Sequence, residues 1–381
     1  MAVLKKTERA KARKLWEEVF DEDTEQFLDY YDSCVADHNQ ILAERDGDEL
    51  VSMVQLNPYQ VHMGECTANS YYIVAVATRE ECRHQGRMRH LLTEAIERMY
   101  QEKVPFTFLM PASESIYLPF DFVTVYQQSM FACGAETGEG TDRAWHCVPC
   151  RRDQLTELTE WSDAFLQKHS KIATVRTEDY YQRIWKEQES MNGQILLFYE
   201  GTKMRGYCFT GYEGSGEAWE IAVESGKQEN GVTEAEGHAW ANRRAVEALT
   251  HWFGEKEWLP VRICGFLPGT KIEGILLKEI SYRPMTMVRI IHLGEFVKRL
   301  RAREEVEFEL NITDPIQKEN SGTFRFCLGR EPGRMERTEN GAAPKMTIAE
   351  LTAAIFGVIR TDKIPQNQIE LLHPVYLNEL V

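Results

Sequence analysis

Residues 74–92, VAVATREECRHQGRMRHLL, set an apolar strand end, a turn with a single glycine and the start of an amphipathic helix in a row. After Gly86 the apolar residues Met88, Leu91, Leu92, Ala95, Ile96, Met99 and Tyr100 recur at helical spacing, which predicts a helix over 87–102 with one buried face. The run Arg83-His84-Gln85-Gly86-Arg87-Met88-Arg89 places a glycine and several cations where the helix's first amide hydrogens lack acceptors. Such an end attracts phosphate, so the run reads as a pyrophosphate cradle.

The strand Tyr72-Ile73-Val74-Ala75-Val76-Ala77-Thr78 and this turn resemble the acetyl-CoA signature of the GNAT acyltransferases, a V-A-T strand end followed by (R/Q)-x-x-G-x-(G/A). Met88 stands where many members have a small residue. Residues 112–122, ASESIYLPFDF, are similar to the A-S-E-x-x-I-Y-x-x-F-x-(F/Y) segment of the Eis-like acetyltransferases, the enhanced-intracellular-survival family, with one residue between Glu114 and Ile116 in place of two. Near the C-terminus, M-V-R-I-I, E-F-E-L-N-I-T-D, G-T-F-R-F and M-T-I-A-E-L-T-A-A-I-F-G follow in the order of that family's sterol-carrier-like domain. The resemblance implies an α/β (α+β) fold: a catalytic GNAT domain at 1–150, a degenerate second GNAT-like domain at 151–284, and a sterol-carrier-like α+β domain at 285–381 ending in a catalytic tail. The sterol-carrier resemblance implies a fold and not lipid transport.

At 381 residues the chain exceeds one ordinary domain, and 43% hydrophobic residues supply two or three cores. A formal net charge of −16 argues against a nucleic-acid partner and is compatible with a cationic substrate. Aromatic residues are not interleaved with basic ones, which gives nucleic-acid binding no support. Nine scattered cysteines, an odd number, argue against a disulfide framework. Cys147-Val148-Pro149-Cys150 has C-x-x-C spacing, yet a structural zinc needs two further ligands and a redox pair should open a helix, so two ordinary thiols are expected. The histidines show no ligand spacing, and no metal is expected. The N-terminus lacks the apolar core of about 7–15 residues of a signal peptide, and no run reaches the ~18 apolar residues of a membrane span. A cytoplasmic protein without a membrane partner is the expectation.

Along the chain, residues 8–20 and 24–35 read as helices, and 39–44 and 50–56 as strands joined by a turn whose Asp46-Gly47 is a hairpin signal. A strand at 70–78, the helix and a strand at 106–110 follow. Arg151-Arg152-Asp153-Gln154 reads as a connection. A helix at 177–191, strands at 194–200, 206–212 and 219–223, a helix at 234–253 and a strand at 261–266 then repeat the first order. The segment after the third strand, 224–231, lacks the basic cradle, so one coenzyme A per chain is expected. Beyond it, strands at 288–293, 306–312 and 322–328 and helices at 294–303 and 347–356 are predicted.

Acetyl transfer to an amine needs a held thioester, a neutral amine, a route for its proton and a donor for the leaving thiolate. Val74, Ala75 and Val76 would offer backbone groups to the pantetheine arm. The amides of His84, Gln85, Gly86, Arg87, Met88 and Arg89, with the guanidinium groups of Arg83, Arg87 and Arg89, would bind pyrophosphate. The resemblance further implies that Ser113 and Glu114 lie beside the cofactor, that Tyr117 protonates the coenzyme A thiolate, and that the terminal carboxylate of Val381 handles the amine's proton. A phenol with pKa near ~10 is protonated at neutral pH, whereas a terminal carboxylate near ~3.5 is a weak base that orients the amine and accepts its proton through water. The implied function is an acetyl-CoA-dependent N-acetyltransferase acting on a primary amine (an aminoglycoside, polyamine or lysine-like acceptor), assembled as a homohexamer. The competing reading is a non-catalytic acyl-CoA or lipid-binding protein with the same fold.

Overall fold

The computed structural model describes residues 2–133, 145–212, 215–224, 234–266 and 278–379. By their contacts these form two compact units. One comprises residues 1–126, 171–175 and 284–381, and the other 127–170 and 176–283.

The first unit opens with β1 (Ala2–Val3), α1 (Arg9–Val19) and α2 (Glu25–Cys34). Helix α1 buries Ala12, Leu15 and Trp16, and Trp16 meets Tyr31 of α2 at 4.6 Å between ring centroids. Thr24 starts α2 by accepting a hydrogen bond from the Phe27 amide at 3.2 Å. Strands β2 (Gln40–Asp46) and β3 (Glu49–Met63) form the predicted hairpin, with Gly47 at φ 58°. Both β3 and its partner β4 (Cys66–Thr78) outrun the predicted 50–56 and 70–78. The extension carries Asn57, Pro58, Gln60 and His62, which hide the strand pattern although the ladder runs on to Met63↔Cys66. Helix α3 (Arg87–Gln101) buries Leu91, Leu92, Ala95, Ile96 and Met99, the predicted stripe, in a core with Leu42, Val54, Leu56 and Ile73. Strand β5 (Phe106–Leu109), helix α4 (Glu114–Tyr117) and strand β6 (Val123–Cys133) complete this part.

Next come β7 (Trp145–Pro149), α5 (Leu155–His169), β8 (Ile172–Thr174), α6 (Glu178–Ser190), β9 (Gln194–Glu200), β10 (Lys203–Tyr212), β11 (Gly216–Val223), α7 (Glu234–Glu255) and β12 (Val261–Phe266). Of these, β8 belongs to the first unit. The second unit's strands pair in the order β6, β12, β11, β10, β9, β7. The connection read at 151–154 is a single helical turn running straight into α5, whose buried Leu155, Leu158, Phe165 and Leu166 are diluted by Thr, Ser and Asp.

The chain returns to the first unit through β13 (Lys278–Ile290), followed by α8 (Leu293–Val297), β14 (Val306–Thr313), β15 (Gly322–Leu328), β16 (Arg334–Arg337), β17 (Lys345–Thr347), α9 (Ile348–Ile355) and β18 (Val375–Tyr376). The helix expected at 294–303 is thus five residues long and begins at Leu293. A four-stranded sheet has the order β16, β15, β14, β17, with Phe308 stacked on Phe326 at 5.1 Å. Thr347 and Glu350 cap α9 reciprocally, each side chain holding the other's backbone amide. Residues 287–290 of β13 pair antiparallel with 106–109 of β5. One core therefore joins Tyr72 and Phe106 to Phe296, Phe356 and Leu377, so the sterol-carrier-like part is packed into the first unit. No described helix is long and apolar enough to cross a membrane.

Candidate active site

The site begins where β4 leaves β5. Strand β4 pairs with β3 over its whole length, with one extra residue between Val74 and Ala77, where Ala75 adopts φ 49°. This bulge bends the strand. With β5 the parallel register is Tyr72↔Phe108, and residues 73–78 run on beyond it. Val74, Ala75 and Val76 lie on that stretch, where backbone polar groups need partners that a ligand with amide groups can supply. Val74 and Ala75 are buried and Val76 half-buried.

After β4 a turn at Glu80–Cys82 leads to His84 at φ 61° and Gly86 at φ 80°. The amide of His90 donates to the Gly86 carbonyl at 3.0 Å, so those of Arg87, Met88 and Arg89 have no acceptor within the helix. A Cβ on Gly86 would meet nothing within 4 Å, so the space before the helix end is open. The Arg83 Nε donates to the Thr78 carbonyl at 3.2 Å. Arg87 pairs with Glu44 at 3.2 Å, and Arg89 lies over the Phe120 ring at 5.2 Å. Arg83, His84, Gln85 and Arg89 are exposed. Residues 83–89 thus gather around one helix terminus as the sequence predicts, but Arg87 directs its charge to Glu44.

Helix α4 carries the predicted acid segment. Ser113 is exposed and its hydroxyl meets that of Ser115 at 2.8 Å. Glu114 accepts a hydrogen bond from the Thr124 hydroxyl, which ties α4 to β6. Tyr117 is only 6% exposed, with its ring edge-on to Phe122 at 6.0 Å, and burial pushes its phenol up to about 12. Burial drives the Tyr72 phenol well above its ordinary value, and the Glu379 carboxylate, Tyr117 and Tyr31 raise it further. Tyr31 in turn accepts from the Asn39 amide at 2.7 Å, while Gln55 accepts from Asn39 at 3.1 Å.

Sequence reasoning passed over Glu379. Strand β18 runs parallel to β8, pairing Val375↔Ile172 and Tyr376↔Ala173. The Leu377 carbonyl accepts from the Thr286 hydroxyl, and the Glu379 carboxylate accepts from the Thr174 hydroxyl at 2.5 Å. Residues 375–379 are all less than 5% exposed. The apolar Val375, Tyr376 and Leu377 mark the tail as anchored, but no spacing rule marks an acid two residues later as buried. Val381 lies outside the described residues.

The thiols of Cys147, within strand β7, and of Cys150 are both pushed up to about 12 by burial, the opposite of a reactive thiolate. Among the described residues no group of three or more His, Cys, Asp or Glu side chains could hold a metal.

In the second unit β10 and β11 repeat the bulge, with one extra residue on β11 and Glu220 at φ 51°. Here, however, β11 pairs with β12 from Gly216↔Val261 to Trp219↔Cys264 and again at Ile221↔Phe266. Glu220 is fully buried, ion-paired to Arg176 at 2.8 Å and bonded by the Tyr207 hydroxyl at 2.6 Å. Most of the segment expected to lack a cradle, 225–231, lies outside the described residues.

A bulged strand parting from its parallel neighbour, followed by a glycine-started helix, lies within residues 2–125, which match the acetyltransferase (GNAT) domain; the protein is an acetyltransferase carrying a domain of the kind that uses acetyl-CoA in general. Residues 293–367 match the sterol carrier protein domain. Three solved structures share the fold over nearly the whole chain. A conserved protein of unknown function from Enterococcus faecalis is 17% identical, with 97% of this chain and 92% of that chain covered and a TM-score of 0.75. A GCN5-related N-acetyltransferase from Kribbella flavida is 16% identical, covering 93% and 89% at 0.71. Eis1 from Mycobacterium abscessus is 10% identical, covering 98% and 93% at 0.65. No curated protein matches the chain.

Proposed function

We propose that the protein transfers the acetyl group of acetyl-CoA to a cationic primary amine, with Tyr117 as acid and the carboxylate of Val381 as proton acceptor. The pantetheine arm runs along 74–76 and the pyrophosphate rests on the amides of 84–89, with the exposed Arg83 and Arg89 turning toward it and Ser113 and Glu114 flanking the arm. Once the ammonium has lost a proton to water, the neutral amine nitrogen attacks the thioester carbonyl, a C–N bond forms and the C–S bond breaks. The amine's proton leaves through water to the tail carboxylate, and the Tyr117 hydroxyl gives its proton to the departing thiolate. The observation that carries this reading is the electrostatic coupling of the Tyr72 phenol to both Tyr117 and the buried tail acid Glu379, with Tyr72 at the pairing beyond which β4 leaves β5. A phenol held up to about 12 stays protonated at neutral pH, as a proton donor must. An interior acid such as Glu379 favours a cationic acceptor.

We further propose the three-domain division at 150 and 284, with one cofactor per chain. Its support is the repeated bulge at Ala75 and Glu220, the continuous β11–β12 ladder where β4 and β5 separate, and the ion pair that fills the second bulge. The homohexamer implied by the resemblance is a proposal of the same kind, to be checked by light scattering. The central test is thiol release from acetyl-CoA with polyamines, aminoglycosides and lysine peptides. Turnover with at least one amine, and its loss by ~10²-fold or more in kcat in Tyr117→Phe, is expected. Tight acetyl-CoA binding with no turnover on any amine would instead favour the binding-protein reading.

A further inference from the structure

Arg289 is a fully buried arginine in β13 that no part of the proposed chemistry uses. Its Nη1 donates to the Phe120 carbonyl at 2.8 Å and lies 3.3 Å from the Asp121 carboxylate, while its Nη2 donates to Asp314 at 2.7 Å. Asp314 follows β14 in the sterol-carrier-like part and is itself fixed. Its Oδ1 accepts the amides of Ile316 and Gln317 at 3.0 and 2.9 Å, and its Oδ2 accepts from the Asn320 side chain at 3.0 Å. Asn320 in turn bonds the Ile291 carbonyl at 2.8 Å and the Leu293 amide at 3.0 Å, just past Arg289 in the chain.

The clamped segment is the one that carries the acid. Asp121 donates its amide to the Leu118 carbonyl at 3.0 Å and adopts φ 59°, a left-handed conformation that an external grip helps to hold. The Phe122 ring lies against Tyr117, and Phe120 lies under Arg89 of the cradle. A planar guanidinium with donors on both nitrogens can hold a carbonyl and a carboxylate at once, which the single ammonium of lysine does not reproduce.

We propose that Arg289, held by Asp314, is a positioning residue that sets the Tyr117 hydroxyl against the leaving thiolate, so that the sterol-carrier-like part aligns the acid of the acetyltransferase domain. This rests on the reading of Tyr117 as the acid. A misplacement of about 1 Å in a reacting group costs on the order of 10²-fold in rate, which sets the expected size of the effect.

The test is a double-mutant cycle of Arg289→Lys and Tyr117→Phe on the full chain, with kcat measured at saturating amine, acetyl-CoA affinity by calorimetry and folding by thermal melt. The expected result is that Arg289→Lys lowers kcat by about 10²-fold with acetyl-CoA affinity within about 2-fold, and that the double variant is no slower than Tyr117→Phe alone. Asp314→Asn, which keeps the shape and removes the charge, gives the same pattern if Arg289→Lys does not fold. In Arg289→Ala, added guanidinium restores kcat, and it does nothing for Tyr117→Phe. Wild-type kcat in both Arg289→Lys and Asp314→Asn, or losses that multiply in the double variant, would overturn the proposal. Wild-type turnover by Tyr117→Phe alone overturns the acid assignment and the clamp's role with it, and that single variant tells the two failures apart.

Discussion

Replacing Gly86 by asparagine and by aspartate separates the shape of the cradle from its charge. Gly86 sits at φ 80° with no atom within 4 Å of where a Cβ would project, so the Cβ of either residue meets no neighbour. Asparagine and aspartate both tolerate the left-handed region better than other residues, so the backbone cost is similar for the two. They differ by one negative charge aimed where the amides of 87–89 face outward. At ~6 Å from a phosphate charge and an effective dielectric constant of ~20, that charge costs about 3 kcal/mol, or ~10²-fold in Kd. Calorimetric titration with acetyl-CoA should therefore give a Kd for Gly86→Asp about two orders of magnitude above that of Gly86→Asn. The gap should narrow at high salt because the site is open to solvent. Equal affinities for the two variants, both matching wild type, would refute the placement of the pyrophosphate at this helix end.

Three further outcomes are expected. One glycine added after Val381 displaces the terminal carboxylate by ~3.5 Å, beyond hydrogen-bond reach, and should lower kcat with little change in acetyl-CoA affinity; a wild-type rate would move the proton acceptor elsewhere, with Glu379→Gln the next variant to assay. Calorimetry should count one acetyl-CoA per chain, and a stoichiometry near two would show that the continuous β11–β12 ladder does not exclude the cofactor. Because the Tyr117 phenol is raised to about 12 in the fold against ~10 unfolded, its contribution to stability is full below pH ~10 and lost as pH climbs through about 12. Thermal melts between pH 9 and 12 should fall less steeply in Tyr117→Phe than in wild type, and kcat should show no downturn from this phenol below pH ~10.

The sequence exposed the fold wherever periodicity was strong. The stripe from Met88 to Tyr100 predicted a helix that the structure contains within a residue, and the Asp46-Gly47 signal predicted a hairpin whose turn falls where expected. It concealed elements whose pattern tertiary contact overrides. Pro58 and His62 look unlike strand residues, yet their ladder is sustained by long pairing with β4, and α5 hides its four apolar anchors among hydroxyl and acidic side chains. For the candidate site, the glycine turn and the helix start at Arg87 were legible because helix-end chemistry is local. Glu379 was not, because its burial depends on Thr174, 205 residues earlier in the chain, and Arg289 reads from sequence as one more polar residue in an alternating strand.

The threading of residues 375–379 against β8 and Tyr72 also orders events in time. At the usual ~5–20 residues per second of synthesis, Glu379 leaves the ribosome roughly 15–60 s after Tyr72. Through that interval the residues of the glycine turn and its helix have been synthesised, but Tyr72 still lacks the acid that raises its phenol. The residues of 2–125 expressed alone would lack both Thr174 and Glu379, so trimming the protein to its acetyltransferase domain leaves Tyr72 without that acid.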